Sequence, residues 1–315
     1  MAPATGPRLA AASLIGVVLI ALFVYFFVTP VHAPKPNDLP VVVVGPAGAA
    51  GALATRLEAQ NFKVLRRPDA SAARRAIDDR DAYGAFILSR RAPRVLVATA
   101  ASYAAAQLLA RVGRAAGARA VVDVKPTDPD DPRGATLNVL VLALVITAIL
   151  TALVAVQMVP ELRLLRPRIV AAGFASLAGG AAAVGIVHAE GALPGSYFAE
   201  VAIVALAVLG IALSSSGLMR LTGPAGAGVP FLIFLMLGNP GSGLATAPEL
   251  QPTPWHPVGA YFPSGALGSA LRGVAYFGGA KIVGPLLILA AYVVLGLILN
   301  ELASRRLPRA RLAYS

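Results

Sequence analysis

Cysteine is absent from all 315 residues. That excludes disulfides, thiolate metal sites and dithiol redox motifs. Charge is also scarce: 13% of residues are Asp, Glu, Lys or Arg, against roughly 25% in an ordinary soluble domain. The three histidines, His32, His188 and His256, are scattered and lack acidic neighbours at ligand spacing, which argues against a metal centre. No G-x-x-x-x-G-K-[ST] motif occurs, and Gly45-Pro46-Ala47-Gly48 is not G-x-G-x-x-G. A nucleotide-phosphate loop is therefore not read here. Ser214-Ser215-Ser216-Gly217 lies inside an apolar run and lacks the surroundings of a nucleophile elbow. No catalytic, cofactor or metal site is assigned, and the chain is not read as an enzyme.

What the chain has in quantity is apolar sequence. Hydrophobic residues make up 57%. One uncharged run near the N-terminus, about 20 residues long, has the length a bilayer core demands of a helix. About a hundred more polar residues follow, then further apolar runs. The pattern predicts a multi-span α-helical membrane protein of about six transmembrane helices, with an extracytoplasmic α/β domain inserted between the first and second. The spans are read at 9–29, 136–158, 169–188, 199–221, 227–245 and 282–303. The fifth is the weakest, because its run breaks at Gly238-Asn239-Pro240-Gly241. The first is longer than a signal-peptide core, which favours an uncleaved anchor over 1–33.

The net charge is +12, from 27 basic and 15 acidic residues. Sixteen basic and ten acidic residues lie mixed between Pro30 and Ala135, which does not suit a nucleic-acid partner. The rest sit mainly in short loops. Arg163, Arg166 and Arg168 follow span two, Arg220 closes span four, and Arg305, Arg306, Arg309 and Arg311 lie in the tail. By the positive-inside rule both termini are cytoplasmic and residues 34–133 lie outside a cell membrane. Ionisable groups at mid-depth are few. His188, Glu200 and Glu301 read as interfacial residues rather than as a proton relay.

Residues 34–133 carry the periodicity of a small α/β unit. A continuous apolar run at 39–44 suits a strand buried on both faces. Strands are also expected at 62–65, 83–88, 94–99 and 119–124, with helices at 50–60, 69–77 and 102–116. Asp69 or Ser71 is expected to cap the second helix. Arg66, Arg67, Arg74 and Arg75 read as a solvated surface, because aspartates interleave with them.

The most distinctive stretch is 238–280, within a five-span domain over 134–315. It starts where an apolar helix breaks and continues through Pro248, Pro252, Pro254 and Pro257. Residues 263–277 then offer an amphipathic helix. Irregular backbone at membrane depth needs cover from protein or water, so a re-entrant hairpin is expected. Trp255, Tyr261, Phe262, Tyr276 and Phe277 would form an interfacial aromatic belt.

Gly238-Asn239-Pro240-Gly241-Ser242-Gly243, Phe262-Pro263-Ser264-Gly265 and Arg272-Gly273-Val274-Ala275-Tyr276-Phe277-Gly278 together resemble the phage infection protein (Pip)-like family. That family lies within the type-2 ABC-transporter permease superfamily. The order of one span, an outside domain and five spans is similar too. The resemblance implies a permease-like exporter subunit moving a lipid, a hydrophobic compound or an envelope component. It also implies a homo- or heterodimer and a separate ATP-binding subunit. Candidate residues for the pathway or re-entrant segment are Asn239, Pro240, Ser242, Gly243, Pro263 and Arg272. Candidates for ATPase docking are Glu161, Arg163 and Arg166. The competing reading is a non-transporting envelope or secretion scaffold, or a phage-receptor-like protein, whose outside domain binds a partner.

Overall fold

The alternating apolar runs and turns of the polar insert fold into a single five-stranded sheet. The computed structural model describes residues 5–32, 34–89, 92–158 and 165–306. The strands are β1 (Leu39–Val44), β2 (Phe62–Arg66), β3 (Gly84–Ile87), β4 (Arg94–Val97) and β5 (Ala120–Asp123), in the order β2-β1-β3-β4-β5. Only the β3–β4 pair is antiparallel. Three helices cover the sheet: α2 (Ala47–Glu58), α3 (Ala70–Asp78) and α4 (Tyr103–Ala115).

The unbroken apolar run of β1 has the cause expected of it. Leu39, Val41 and Val43 pack in one cluster with Leu57 of α2 and Leu109 of α4. Val42 and Val44 point the other way and pack with Ala73, Ala76 and Ile77 of α3. A central strand with helices on both faces has no polar side to show. Side-chain oxygens start two of the helices. Asp69 accepts from the Ala72 N–H at 2.7 Å, and Ser102 from the Ala105 N–H at 3.2 Å, each satisfying an orphan donor of a first turn.

Among the described residues, five helices are long and apolar enough to cross a membrane. Four belong to α1 (Thr5–His32), α5 (Ala135–Met158), α6 (Leu165–Ala189) and α7 (Tyr197–Thr222); the fifth is the C-terminal helix Val283–Arg306. The sixth expected span differs. Its apolar helix is Gly228–Gly241, about 21 Å at 1.5 Å per residue, against a hydrocarbon core of about 30 Å. Pro240, with Gly238, Gly241 and Gly243 around it, ends it early.

The helix α7 sits at the centre of the bundle and packs against α5, α6 and the C-terminal helix. Its closest neighbour is that last helix. A Cβ added at Gly217 would stand 2.5 Å from Leu299 Cβ, and one at Gly296 would stand 2.5 Å from Leu213 Cβ. Glycine lets the two backbones approach, as in packed membrane helices generally. Polar groups then bridge the gap: Ser214 Oγ donates to the Tyr292 carbonyl at 2.9 Å, and Asn300 Nδ2 to the Leu213 carbonyl at 2.8 Å. Gly210 meets Leu289, Gly217 meets Leu299, and Arg220 reaches Ser304, so the two helices run parallel. The chain must therefore return the full length of the bundle between them. The short helix Gly228–Gly241 makes most of that return.

Gly296→Val would force this contact apart. Overpacking of this kind costs about 1–3 kcal/mol, so the unfolding midpoint in detergent should fall. Gly179→Val, at a position with open space around it, should leave the midpoint alone. Equal midpoints for the two variants would refute the close-packing account.

Candidate functional site

The returning helix is α8 (Gly228–Pro230), a π-wound stretch (Phe231–Gly238) and α9 (Asn239–Gly241). A helix that stops leaves its last four carbonyls without donors. Three of these find side chains from the segment that follows. Ser264 Oγ donates to the Gly238 carbonyl at 2.7 Å, Ser242 Oγ to the Asn239 carbonyl at 2.6 Å, and Gln251 Nε2 to the Pro240 carbonyl at 2.7 Å. The fourth carbonyl, of Gly241, is pressed against Gly259, where no side chain would fit. Gly243 turns the chain with φ +69°, a conformation glycine adopts without steric cost.

The chain then passes through α10 (Trp255–Val258) into α11 (Pro263–Tyr276) and on to α12 (Val283–Arg306). Pro263 takes the first position of α11, where its missing N–H costs nothing. Residues 246–251 reach up to the sheet. Ala247 and Leu250 join the apolar cluster of Leu39, Val41 and Leu109. Around them, the Asn37 N–H donates to the Glu249 carbonyl at 2.8 Å and Tyr83 Oη to Glu249 Oε2 at 2.7 Å. Ser102 Oγ donates to the Thr246 carbonyl, so one serine both caps α4 and holds the hairpin.

A second clasp lies at the far end of α11. Arg80 sits just after α3 with φ +58°. Its guanidinium donates to the Ser269 carbonyl at 3.0 Å, the Ala280 carbonyl at 3.2 Å and Ser269 Oγ at 3.0 Å. The same guanidinium stands 5.6 Å from the centre of the Phe277 ring. Lys281 Nζ returns the contact to the Arg80 carbonyl at 3.0 Å and to Asp81 Oδ1 at 2.7 Å.

Between these two clasps is a cavity of about 570 Å³. Its walls carry Arg80, Tyr83, Ser242, Glu249, Arg272 and Lys281, among more apolar residues. Burial, and then the neighbouring Arg272, pull the Arg80 guanidinium down to about 10. Burial also lowers Arg272. Burial, reinforced by the Glu249 carboxylate, holds the Tyr83 phenol well above its ordinary range. The two arginines thus share a poorly hydrated space with like charge.

The six hairpin residues singled out in the sequence divide into two groups. Ser242 and Arg272 line the cavity. Asn239, Pro240, Gly243 and Pro263 shape the backbone around it, and the Asn239 Oδ1 atom is buried without a hydrogen-bond partner. The expected aromatic belt is replaced in part by packing. Trp255 is buried against Phe26 of α1, with ring centres 5.5 Å apart, and Phe277 lies beneath Arg80 and Lys125. Tyr261 does stay exposed. Of the docking candidates, Arg166 is exposed near the start of α6; Glu161 and Arg163 lie outside the described residues.

Two features were not legible as sites in the sequence. Arg80, Glu249 and Lys281 come together across separations of up to 201 residues, and no local pattern marks them. His188 and Glu200, expected as separate interfacial residues, are in contact instead: Nε2 and Oε2 lie 2.5 Å apart and the Glu200 side chain is fully buried. The fold and site together define a class: a helical chain with five helices compatible with membrane crossing, joined to a small sheet-based unit. No protein-family model matches the chain, and no curated protein or solved structure matches it either.

Removing one donor from the broken end should leave a buried carbonyl unpaired. Ser264→Ala and Gln251→Ala are each expected to cost about 1–3 kcal/mol, read as a lower unfolding midpoint of the purified chain. Ser264→Thr keeps the hydroxyl and should recover most of the first loss. Wild-type midpoints for both alanine variants would show that these bonds do not hold the hairpin.

Proposed function

We propose that this chain is the permease-like membrane subunit of an ABC-type exporter. In this reading it moves a lipid, another hydrophobic compound or an envelope component across the cell membrane. ATP hydrolysis comes from a separate chain. Both termini lie in the cytoplasm, residues 34–133 lie outside, and the segment 238–280 is a re-entrant hairpin on the outer side. A second permease half, identical or related, completes the pathway.

One observation carries this reading. The α/β unit is fastened over a broken helix, with a half-open cavity between them. A module displayed to recruit a partner has no need of such a covered space. A cap over a compound leaving the bilayer does. The basic residues grouped in the loop after α5 and in the tail support the orientation. The exposed apolar side chains of α5 and α6, among them Leu150, Val154 and Phe174, suit contact with lipid or with the second half.

The test is affinity purification of the tagged chain from its native membrane in mild detergent. A P-loop ATPase in stoichiometric amount is expected. Replacing Glu161, Arg163 and Arg166 together by Gln should reduce its recovery without lowering the amount of chain in the membrane. Recovery of envelope or secretion proteins in place of an ATPase would favour the scaffold reading and sink the exporter.

A further inference from the structure

The cavity between the α/β unit and the hairpin is graded from charged to apolar. Two helical stripes form much of its wall. One, on α11, comprises Gly265, Ala266, Ser269 and Arg272; the other, at the start of α12, comprises Gly284, Pro285 and Ile288, with Lys281 in the turn just before the helix. Spacings of three, four and seven residues place each set on one side of its helix. Arg272, at the end of the first stripe, and Lys281, just before the second, lie nearest the sheet, beside Arg80. From Gly284 the α12 stripe descends about 6 Å to Ile288. Ile288 lies within a helix long and apolar enough to cross a membrane. Farther along, Tyr292 Oη donates to the Tyr261 carbonyl at 3.2 Å, which ties that end of the hairpin to the same helix. The charged end thus faces the sheet and the apolar end faces the bundle.

The charged end has an excess of positive groups. Lys281 is neutralised by Asp81. Among the described residues, neither Arg80 nor Arg272 forms an ion pair. Arg80 is held by backbone carbonyls and a serine hydroxyl. Arg272 reaches the Leu244 carbonyl only over a long 3.5 Å. Among the described residues, Glu249 is the single carboxylate on the wall, and it already accepts from Tyr83. Two guanidiniums without carboxylate partners line a space of the size that takes a small ligand. Guanidinium donors match the oxygens of phosphate or carboxylate.

We infer that this cavity binds an amphiphile with an anionic head, the phosphate or carboxylate held between Arg272 and Arg80 and the apolar part lying along Gly284, Pro285 and Ile288. The inference names the chemistry of the compound that the exporter reading needs. It rests on that reading for its transport meaning, but its binding test is independent of any ATPase.

The test uses the purified full chain in a neutral detergent. Binding is followed by native mass spectrometry for every variant and, where no tryptophan is added, also by the fluorescence of Trp255, the single tryptophan of the unaltered chain. The probes are short-chain phosphatidylglycerol, phosphatidylcholine with the same chains, and inorganic phosphate. Phosphatidylglycerol should bind at least about tenfold tighter than phosphatidylcholine, the worth of one charge-assisted contact. Arg272→Gln should lose about that factor and Arg272→Lys should keep most of it. Ile288→Trp, which fills the apolar end and leaves the charges in place, should weaken the lipid but not phosphate. Equal affinity for the two lipids would overturn the inference. Inorganic phosphate binding as tightly as phosphatidylglycerol would also overturn it, by showing a bare anion site. If Arg272→Gln fails to fold, Ile288→Trp and the lipid comparison still decide. Selective lipid binding by a chain that recovers no ATPase would keep the site and sink the exporter. An ATPase partner without lipid selectivity would do the reverse.

Discussion

The broken end of the helix Gly228–Gly241 has carbonyls that must find donors within the protein. Water is scarce around a buried turn, and an unpaired carbonyl there costs as much as a lost hydrogen bond. Ser242, Gln251 and Ser264 supply the donors. Satisfying them fixes where α11 begins, how closely 246–251 approaches the sheet, and which side chains α11 turns toward α12. The cavity is a consequence of that arrangement. It exists because a helix stops short and the chain must be led back through defined polar contacts.

The α/β unit and the bundle depend on each other through the same segment. Ala247 and Leu250 are part of the apolar cluster under the sheet, and the Arg80 clasp joins the turn after α3 to both ends of the 269–280 stretch. Buried apolar area supplies most of the cohesion of such a contact, while the hydrogen bonds set its register. At the other end, the parallel contact of α7 and α12 obliges the chain to travel back between them. Small residues make that contact close, and Asn300 and Ser214 keep it in alignment. The need for a return passage comes from that parallel contact, and the shortness of the returning helix from the proline and glycines of 238–243.

Electrostatics give the junction its chemical character. Like charges in a poorly hydrated pocket repel, and both arginines are shifted toward the neutral form by burial. An anion entering there would relieve the repulsion. Glu249 offsets only part of it, since its carboxylate is also engaged by Tyr83. Apolar wall comes from several elements, and the opening turns of α12 add Gly284, Pro285 and Ile288 toward the bundle. The cavity is therefore amphipathic, with Arg80, Arg272 and Lys281 gathered near the sheet.

Local pattern determined a good deal of this protein. The alternation and apolar runs of 34–133 predict each strand and helix of the α/β unit within a few residues, since β1 is buried on both faces and Asp69 and Ser102 mark helix starts. The long apolar runs mark five helices for the same kind of reason: length and hydropathy are properties of contiguous residues. The breaks around 238–243 are equally local, because proline and glycine act on their own backbone. Tertiary structure alone decided the rest. It buried Trp255 and Phe277, which were expected at an interface. It brought His188 to Glu200, and Arg80 to Ser269, Ala280 and Lys281. Those pairings join residues from distant parts of the chain, where side-chain chemistry is visible but distance is not. The hairpin was therefore legible as a feature, whereas the charged cavity it forms with the sheet required the folded chain.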